Sequence, residues 1–227
     1  MFLRSFPAGP WQTNCYVAAA APGTECVIVD PGMGAAQGVR DTVAEHGLRP
    51  VAVLVTHGHI DHMWSVFPLA TGYGIPAVIH GSDRALLSNP GAGVSRETAA
   101  ALPDMLGPGE IFAEPDDVLE AQHGLRLDLA GLAITVRHAP GHTAGSVMFE
   151  CDGHSVFTGD VLFAGAIGRT DLPTGSPTDM DRSLRDQVLT LDDALVVLPG
   201  HGPHTTMATE RATNPYLIRV AQGLSAT

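Results

Sequence analysis

VAVLVTHGHIDH, residues 51–62, joins a run of five apolar residues to a turn that holds three histidines and one aspartate. A short aliphatic and β-branched run of this kind is typical of a buried strand. His57, His59, Asp61 and His62 therefore follow directly on a strand end. Imidazoles clustered at the rim of a core are costly unless something pairs with them, so the stretch predicts a metal site.

The same arrangement recurs three times further along the chain. His142 follows ITVRHAPG, Asp160 follows SVFTG, and His201 follows ALVVLPG. If these strands lie in register, their ends converge along one edge, and the rigid strands hold the candidate ligand residues in place. A catalytic zinc usually takes three protein ligands, so seven ligands are too many for one ion and suit two ions that share a carboxylate.

The rest of the chain alternates short apolar runs with helical segments, which predicts an α/β fold. Strands are predicted at Cys15–Ala19, Glu25–Asp30, Val51–Thr56, Ala77–His80, Leu132–His138, Ser146–Glu150, Ser155–Thr158 and Leu195–Leu198. Helices are predicted at Ala35–His46, after Asp61, and at Ser82–Leu87, Thr178–Leu189, Met207–Ala212 and Pro215–Ala221.

Length favours one domain over residues 1–227. The segment Asn89–Gly124 is rich in Gly, Pro and acidic residues, and we expect a loop-rich excursion with one short helix at most. Such a segment is a candidate lid over a site, and a solvated insertion without a chemical role is an equal alternative.

Composition excludes several classes of protein. Twelve basic against 24 acidic residues give a formal net charge of −12, which disfavours nucleic acid as a partner. No apolar run approaches the length that spans a bilayer and no secretory signal is visible, so we expect a cytoplasmic protein without a membrane contact. Cys15, Cys26 and Cys151 lie in apolar runs and are expected to be buried reduced thiols.

HGHIDH resembles the HxHxDH signature of the metallo-β-lactamase superfamily, and PGHTAGS, TGD and PGHG are similar to its later metal motifs, in the same order. The resemblance covers about Gln12 to Pro215. It implies a four-layer αβ/βα sandwich. It also implies a first metal on His57, His59 and His142, a second on Asp61, His62 and His201, and Asp160 as the bridge.

Within that superfamily the chain most resembles the short bacterial members of the glyoxalase II-like branch, through GRTDLPTGS and GHGPHTTMATERATNPYL. That resemblance implies a thioesterase that cleaves S-lactoylglutathione or a related 2-hydroxyacyl thioester by a metal-bridging hydroxide, with Asp61 and Asp160 in the catalytic centre. Two divalent ions are expected, zinc first, with iron or manganese as alternatives because imidazole and carboxylate suit all three.

Three residue assignments follow from the motifs. Arg169 matches the position of a cation that holds the substrate's carboxylate in the glyoxalase II family, and a surface pair with Asp171 is the alternative. Asp30 is either a strand-end cap or a partner for a ligand histidine. The other six histidines match no motif and are interpreted as structural or surface residues: His46, His80, His123, His138, His154 and His204.

Other activities on the same fold remain alternatives. A persulfide dioxygenase keeps one iron on two histidines and an aspartate, whereas a second complete set, Asp61, His62 and His201, favours two metals here. Lactone or β-lactam hydrolysis is a further alternative, although many zinc β-lactamases carry a cysteine where this chain has Asp160. The sequence continues for about 26 residues after His201, so we expect no counterpart here to the C-terminal helical domain that supplies glutathione contacts in long glyoxalase II enzymes.

Overall fold

Two six-stranded sheets pack face to face in the computed structural model, which describes residues 1–106 and 111–224. The first sheet has the order β1-β2-β3-β4-β5-β6 and is parallel from β3 to β6. Its strands are β1 (Phe2–Ala8), β2 (Thr13–Ala19), β3 (Glu25–Val29), β4 (Arg49–Leu54), β5 (Ala77–Ile79) and β6 (Val118–Glu120).

The second sheet has the order β12-β11-β10-β9-β8-β7 and is antiparallel except where β10 pairs with β11. Its strands are β7 (Arg126–Leu129), β8 (Leu132–His138), β9 (Val147–Cys151), β10 (Ser155–Gly159), β11 (Val196–Pro199) and β12 (Thr205–Thr206).

Helices cover the outer face of each sheet. Those associated with the first sheet are α1 (Ala35–His46), α2 (Ile60–Met63), α3 (Val66–Tyr73) and α4 (Arg96–Met105). Those associated with the second are α5 (Pro177–Ser183), α6 (Met207–Thr213) and α7 (Pro215–Ala221). Short 3₁₀ turns occupy Arg84–Leu87 and Pro90–Gly93, and a π-helical turn occupies Leu184–Val188.

The alternation of side chains along β4 explains the layering. Ala52 and Leu54 point to the core between the sheets, where they meet Phe149 and Phe157 of the second sheet. Val53 points the other way, into the core beneath the helices. Because side chains of a strand alternate between faces, one apolar run serves two cores, which explains why the run has no polar interruptions.

The predicted αβ/βα sandwich is confirmed. The strands that sequence analysis missed are the edge strands β1, β6, β7 and β12. Edge strands are covered on fewer sides, so their sequences lack a clear apolar pattern. In β7, for example, only Leu127 and Leu129 are partly buried, and they alternate with two exposed charged residues.

Two helical predictions need correction. The segment Asn89–Gly124 contains two helical segments where one short helix at most was predicted, namely the 3₁₀ turn Pro90–Gly93 and α4, and it also contains the strand β6. The predicted helix Thr178–Leu189 is divided into α5 and the π-helical turn. Periodicity along the sequence does not distinguish an α-helix from a π-helical turn of a few residues.

Within the described ranges, 1–106 and 111–224, no helix has the length and apolar character needed to cross a membrane.

Candidate metal centre

The seven residues singled out by sequence lie together at the strand ends of both sheets. His57, His59, Asp61 and His62 follow β4 of the first sheet. The other three follow strands of the second sheet: His142 follows β8, Asp160 follows β10 and His201 follows β11. Their nitrogen and carboxylate oxygen atoms form three overlapping groups in which all atoms lie within 4.8 Å of one another.

The first group contains His57, His59 and His142. His59 Nδ1 lies 2.8 Å from His142 Nε2, and His57 Nε2 lies 3.2 Å from the same atom. All three side chains are buried. Three ring nitrogens thus face a common point between the two sheets.

The second group contains Asp61, His62 and His201. His62 Nε2 lies 3.2 Å from His201 Nε2, and Asp61 Oδ2 lies 3.2 Å from His201 Nε2. Asp160 lies between the groups, with Oδ1 3.3 Å from His62 Nε2 and Oδ2 3.5 Å from His142 Nε2. One carboxylate therefore contacts both halves of the site.

Partners behind the rings determine which nitrogen faces the centre. His62 Nδ1 donates to Asp30 Oδ2 at 2.9 Å. His142 Nδ1 donates to the Arg169 carbonyl at 2.7 Å, and His201 Nδ1 donates to the Trp11 carbonyl at 3.1 Å. A nitrogen that donates on one side leaves the other unprotonated in the neutral ring, so Nε2 of each presents a lone pair to the centre.

Imidazole nitrogens and carboxylate oxygens that converge at 2.8–3.5 Å need a proton or a metal cation between them. Asp160 Oδ1 is buried and has no hydrogen-bond partner in the described part of the chain. Buried polar atoms of this kind are rare without a ligand, water or ion. The donor set of imidazoles and carboxylates thus fits divalent metal ions.

The electrostatics of the two groups differ. Burial, together with the neighbouring imidazoles, holds the pKa of His57 well below its usual value and lowers the pKa of His59 to about 3. Burial acts in the same direction on His62 and His201, yet nearby carboxylates outweigh it and raise both pKa values. The second group therefore attracts a proton, whereas the first holds two neutral rings.

The two acidic residues of the site remain ionised. Burial alone would raise the pKa of Asp61 and of Asp160. The adjacent His62 and His201 imidazoles outweigh burial and lower the pKa of each carboxyl below its usual value.

The Asp30 side chain is a partner for a candidate ligand histidine, which was one of the two interpretations, and the turn that it caps is the one after β4. Its carboxylate accepts from the Thr56 backbone N–H at 2.8 Å and from the Thr56 hydroxyl at 2.6 Å, which fixes the turn after β4. It also accepts from His62 Nδ1. Asp30 itself adopts a left-handed conformation with φ of 47°.

Arg169 lies at the cavity mouth and is exposed. Its guanidinium makes two hydrogen bonds of 2.7 Å to Asp171, which was the alternative interpretation, and this pair lowers the pKa of Asp171 to about 2. The backbone of Arg169 has a separate function, since its carbonyl orients His142.

Sequence analysis missed several residues that hold the ligand loops. Asn14 Nδ2 donates to the carbonyls of Pro199 and Gly202, on either side of His201. Asp83 is fully buried and joins the turn after β4 to the loop that carries His142. Asp83 follows β5, so it shares the strand-end context of the other site residues, and that context was the available signal.

The six remaining histidines belong to none of the three groups in the described ranges. His80 and His138 stack with ring centroids 4.0 Å apart, and His123 Nδ1 accepts from the His138 backbone N–H. His46 packs against Phe2. These contacts agree with the interpretation of His46, His80, His123 and His138 as structural residues.

A cavity of about 510 Å³ opens over the two groups. Besides the ligand residues its walls comprise Trp11, Ile60, Val94, Ser95, Glu97, Thr98, Arg169 and Leu172. Four of these residues, 94–98 without Arg96, come from the segment Asn89–Gly124. This segment therefore forms part of the wall above the site.

Comparison with known proteins agrees with this geometry. Residues 8–201 match the model of the metallo-β-lactamase superfamily. The chain belongs to this superfamily. The matched range includes all seven candidate ligand residues, from His57 to His201.

Related superfamily members span nearly the whole chain. An uncharacterised protein of Mycobacterium tuberculosis is 46% identical over 99% of this chain and 100% of its own length. A probable metallo-hydrolase of Bacillus subtilis is 35% identical over 96% of this chain and 98% of its own. The hydroxyacylglutathione hydrolase GloC of Haemophilus influenzae is 33% identical, with the same coverage of 96% and 98%.

Solved structures of the superfamily are similar throughout. BLEG-1, described as a B3 metallo-β-lactamase, is 33% identical with a TM-score of 0.81, covering 95% of this chain and 99% of its own. TTHA1623 in a di-iron-bound form is 34% identical with a TM-score of 0.78, covering 95% and 100%. ETHE1 from Myxococcus xanthus is 26% identical with a TM-score of 0.77, covering 98% and 85%.

Proposed function

We propose that this metallo-hydrolase is a binuclear thioesterase that cleaves S-lactoylglutathione or a related 2-hydroxyacyl thioester. The observation that carries the proposal is the pair of ligand groups on either side of Asp160, at the floor of an open cavity. The similarity to a hydroxyacylglutathione hydrolase over nearly the full length supports the choice of substrate class.

His57, His59 and His142 would hold one metal, and Asp61, His62 and His201 the other, with Asp160 shared between them. Zinc is the proposed metal, and iron or manganese would suit the same donors. Two such ions, when bound, would lower the pKa of water toward neutrality and would stabilise negative charge on a carbonyl oxygen.

Residues of this chain orient the imidazoles and line the cavity where the substrate would bind. Asp30 and the carbonyls of Arg169 and Trp11 hold three imidazoles in the tautomer that leaves Nε2 free. Trp11 and Leu172 supply apolar wall against which an acyl or thiol group packs. Arg169 at the mouth is the proposed anchor for a substrate carboxylate, once its pair with Asp171 opens.

Two other reactions are outcomes of the same test. A dioxygenase that acts on persulfides would need one iron. The similarity to ETHE1 is the reason to test this second candidate. The intact second group, Asp61, His62 and His201, favours two metals. β-Lactam hydrolysis is the third candidate because of the similarity to BLEG-1.

The experiment combines metal analysis with a substrate screen on one purified sample. Metal content is measured by elemental analysis. Turnover is measured with S-lactoylglutathione, S-lactoyl-N-acetylcysteamine, a lactone and a β-lactam, and oxygen uptake is measured with glutathione persulfide. Two metals per chain with thioester turnover support the proposal. A sample with two metals and no thioester turnover, or oxygen uptake with one iron, overturns it.

A further inference from the structure

Asp83 is buried where the ligand loops of the two sheets meet, and it contacts no metal ligand side chain. Its carboxylate is fully buried at the start of the 3₁₀ turn Arg84–Leu87. It accepts three hydrogen bonds: from the Gly58 backbone N–H at 2.8 Å, the Thr143 hydroxyl at 2.7 Å and the Gly145 backbone N–H at 2.9 Å.

These donors belong to two loops from different sheets. Gly58 lies between His57 and His59, in the turn after β4. Thr143 follows His142 directly. One oxygen, Oδ2, accepts from both Gly58 and Thr143, so a single atom joins the loops that carry all three residues of the first group.

The backbone of Gly145 packs closely against this carboxylate. A Cβ on Gly145 would lie 2.4 Å from Asp83 Cγ and 2.5 Å from Oδ1. Ser146 completes the contact, since its hydroxyl lies 2.8 Å from Thr143 Oγ1 and accepts from the Thr143 backbone N–H. The loop is thus held closely against Asp83 by hydrogen bonds on both sides of Thr143.

We infer that Asp83 is a positioning residue that fixes the distance between His57, His59 and His142. It acts through the backbone of the two loops rather than through the rings themselves. The second group does not depend on it, because His201 is held by Trp11 and Asn14 and His62 by Asp30. The expected effect on metal binding rests on the proposed function, whereas the hydrogen bonds of Asp83 do not depend on it.

Asp83→Asn is the variant that tests this role. An amide has one oxygen, and its NH₂ group cannot accept, so in either orientation at least one N–H or O–H donor loses its acceptor. The backbone hydrogen bond from Val147 N to Thr56 O remains and keeps the sheets joined. Thr143→Val is a milder second variant that removes one donor and leaves the carboxylate.

Glu210 offers a matched control. It is equally buried, and its carboxylate also accepts three hydrogen bonds, from Gly165 N, Thr205 Oγ1 and Asn214 Nδ2. None of these donors lies in the loops of the first group. Glu210→Gln therefore removes a comparable buried charge without loosening the contact between those loops.

The first measurement uses the metal-free protein and follows amide hydrogen exchange at Gly58 and Gly145. We expect exchange at one of these amides or at both, depending on the orientation of the introduced side-chain amide, to be at least about tenfold faster in Asp83→Asn than in the wild type, and unchanged at both in Glu210→Gln. Exchange at the wild-type rate at both amides in Asp83→Asn overturns the inference.

The second measurement titrates zinc and follows the ring signals of His57, His142 and His201 by NMR. In Asp83→Asn the affinity of the first group should fall by roughly 10- to 100-fold, while that of the second is unchanged. Equal loss from both groups, or the same selective loss in Glu210→Gln, overturns the inference. A wild type that binds fewer than two zinc ions contradicts the binuclear proposal, and the exchange data still decide the role of Asp83.

Discussion

Three of the candidate ligand histidines, His62, His142 and His201, are oriented by a hydrogen-bond acceptor behind the ring. At His62, the Nδ1–H group donates a hydrogen bond to Asp30, which in turn accepts from the Thr56 hydroxyl and backbone N–H. The ring has little freedom, since its side chain is completely buried. An imidazole that is fixed before a metal binds does not lose that freedom on binding, which favours affinity.

Asp160→Ala is predicted to abolish measurable hydrolysis and to lower the metal content. The side chain contacts both groups, so its removal takes a ligand from each. Metal analysis and thioester turnover on the same sample measure the effect. Asp128→Ala, at an exposed position on β7, is the control and should match the wild type. Full activity of Asp160→Ala would contradict the shared role.

Arg169→Ala is predicted to raise the KM for S-lactoylglutathione by about tenfold and to leave kcat nearly unchanged. A charge-assisted hydrogen bond at an exposed position supports an effect of this size. The carbonyl that orients His142 belongs to the backbone and remains. S-lactoyl-N-acetylcysteamine lacks a carboxylate, so its KM should not change. An equal rise for both substrates would exclude carboxylate binding as the cause.

Among the connecting elements, the loop after β10 lies directly against the site and supplies the carbonyl that orients His142. It passes so close to the site that a Cβ on Gly168 would lie 2.0 Å from the Asp160 carbonyl and 2.9 Å from His142 Nδ1. The carbonyl of the next residue, Arg169, accepts the hydrogen bond from His142 Nδ1. A glycine at this position allows the loop to lie directly against the ligand residues.

Gly168→Ala is predicted to displace this loop, to lower metal content and to reduce stability by about 1–3 kcal/mol, as overpacking usually does. Urea unfolding and metal analysis measure both effects. Gly72→Ala in α3 is a matched control, because a Cβ there meets nothing within 4 Å. That control should be neutral or slightly stabilising, since alanine favours a helix. A fully metallated Gly168→Ala protein would show that the loop tolerates displacement.

At the scale of the whole molecule, the two sheets and their helices form three buried apolar clusters. Cys15 and Cys26 lie in the cluster between the first sheet and its helices, and Cys151 lies in the cluster between the two sheets. All three are free thiols. Burial raises the pKa of Cys26 and of Cys151 to about 12, and raises that of Cys15 further.

These thiols predict a loss of stability at alkaline pH. In the unfolded chain the thiols ionise near pH 9, whereas in the folded protein they stay protonated. Their contribution to the free energy of unfolding is therefore complete below pH 9 and is lost as the pH rises toward 12. For each buried thiol, the free energy of unfolding should fall by roughly 2 kcal/mol between pH 9 and pH 11. The 12 basic side chains are all arginines, so no lysine titrates in this range.

Urea unfolding at pH 8, 9, 10 and 11 measures this dependence for the wild type and for Cys26→Ala. The variant should show the shallower decline, whatever its stability at pH 8, because one raised pKa is absent. An identical slope in both proteins would rule out ionisation of Cys26 as a cause.

Much of this molecule is readable from local sequence. The helix Ala35–His46 and the strand Leu132–His138 have the predicted bounds, because apolar periodicity and end signals lie within the segment itself. The edge strands β6 and β7 were missed, because few of their side chains are buried and the pairing partner decides their structure.

The sequence by itself determined the fold class, the superfamily resemblance and the candidate ligands, since each depends on residues within a few positions of a strand end. Only the tertiary structure decided how those ligands are held. Asp83 is 25 residues from Gly58 and 62 from Gly145, and the chain brings them together only when both sheets have packed. Contacts of this kind leave no periodic trace in the sequence, because they depend on where two separate loops meet.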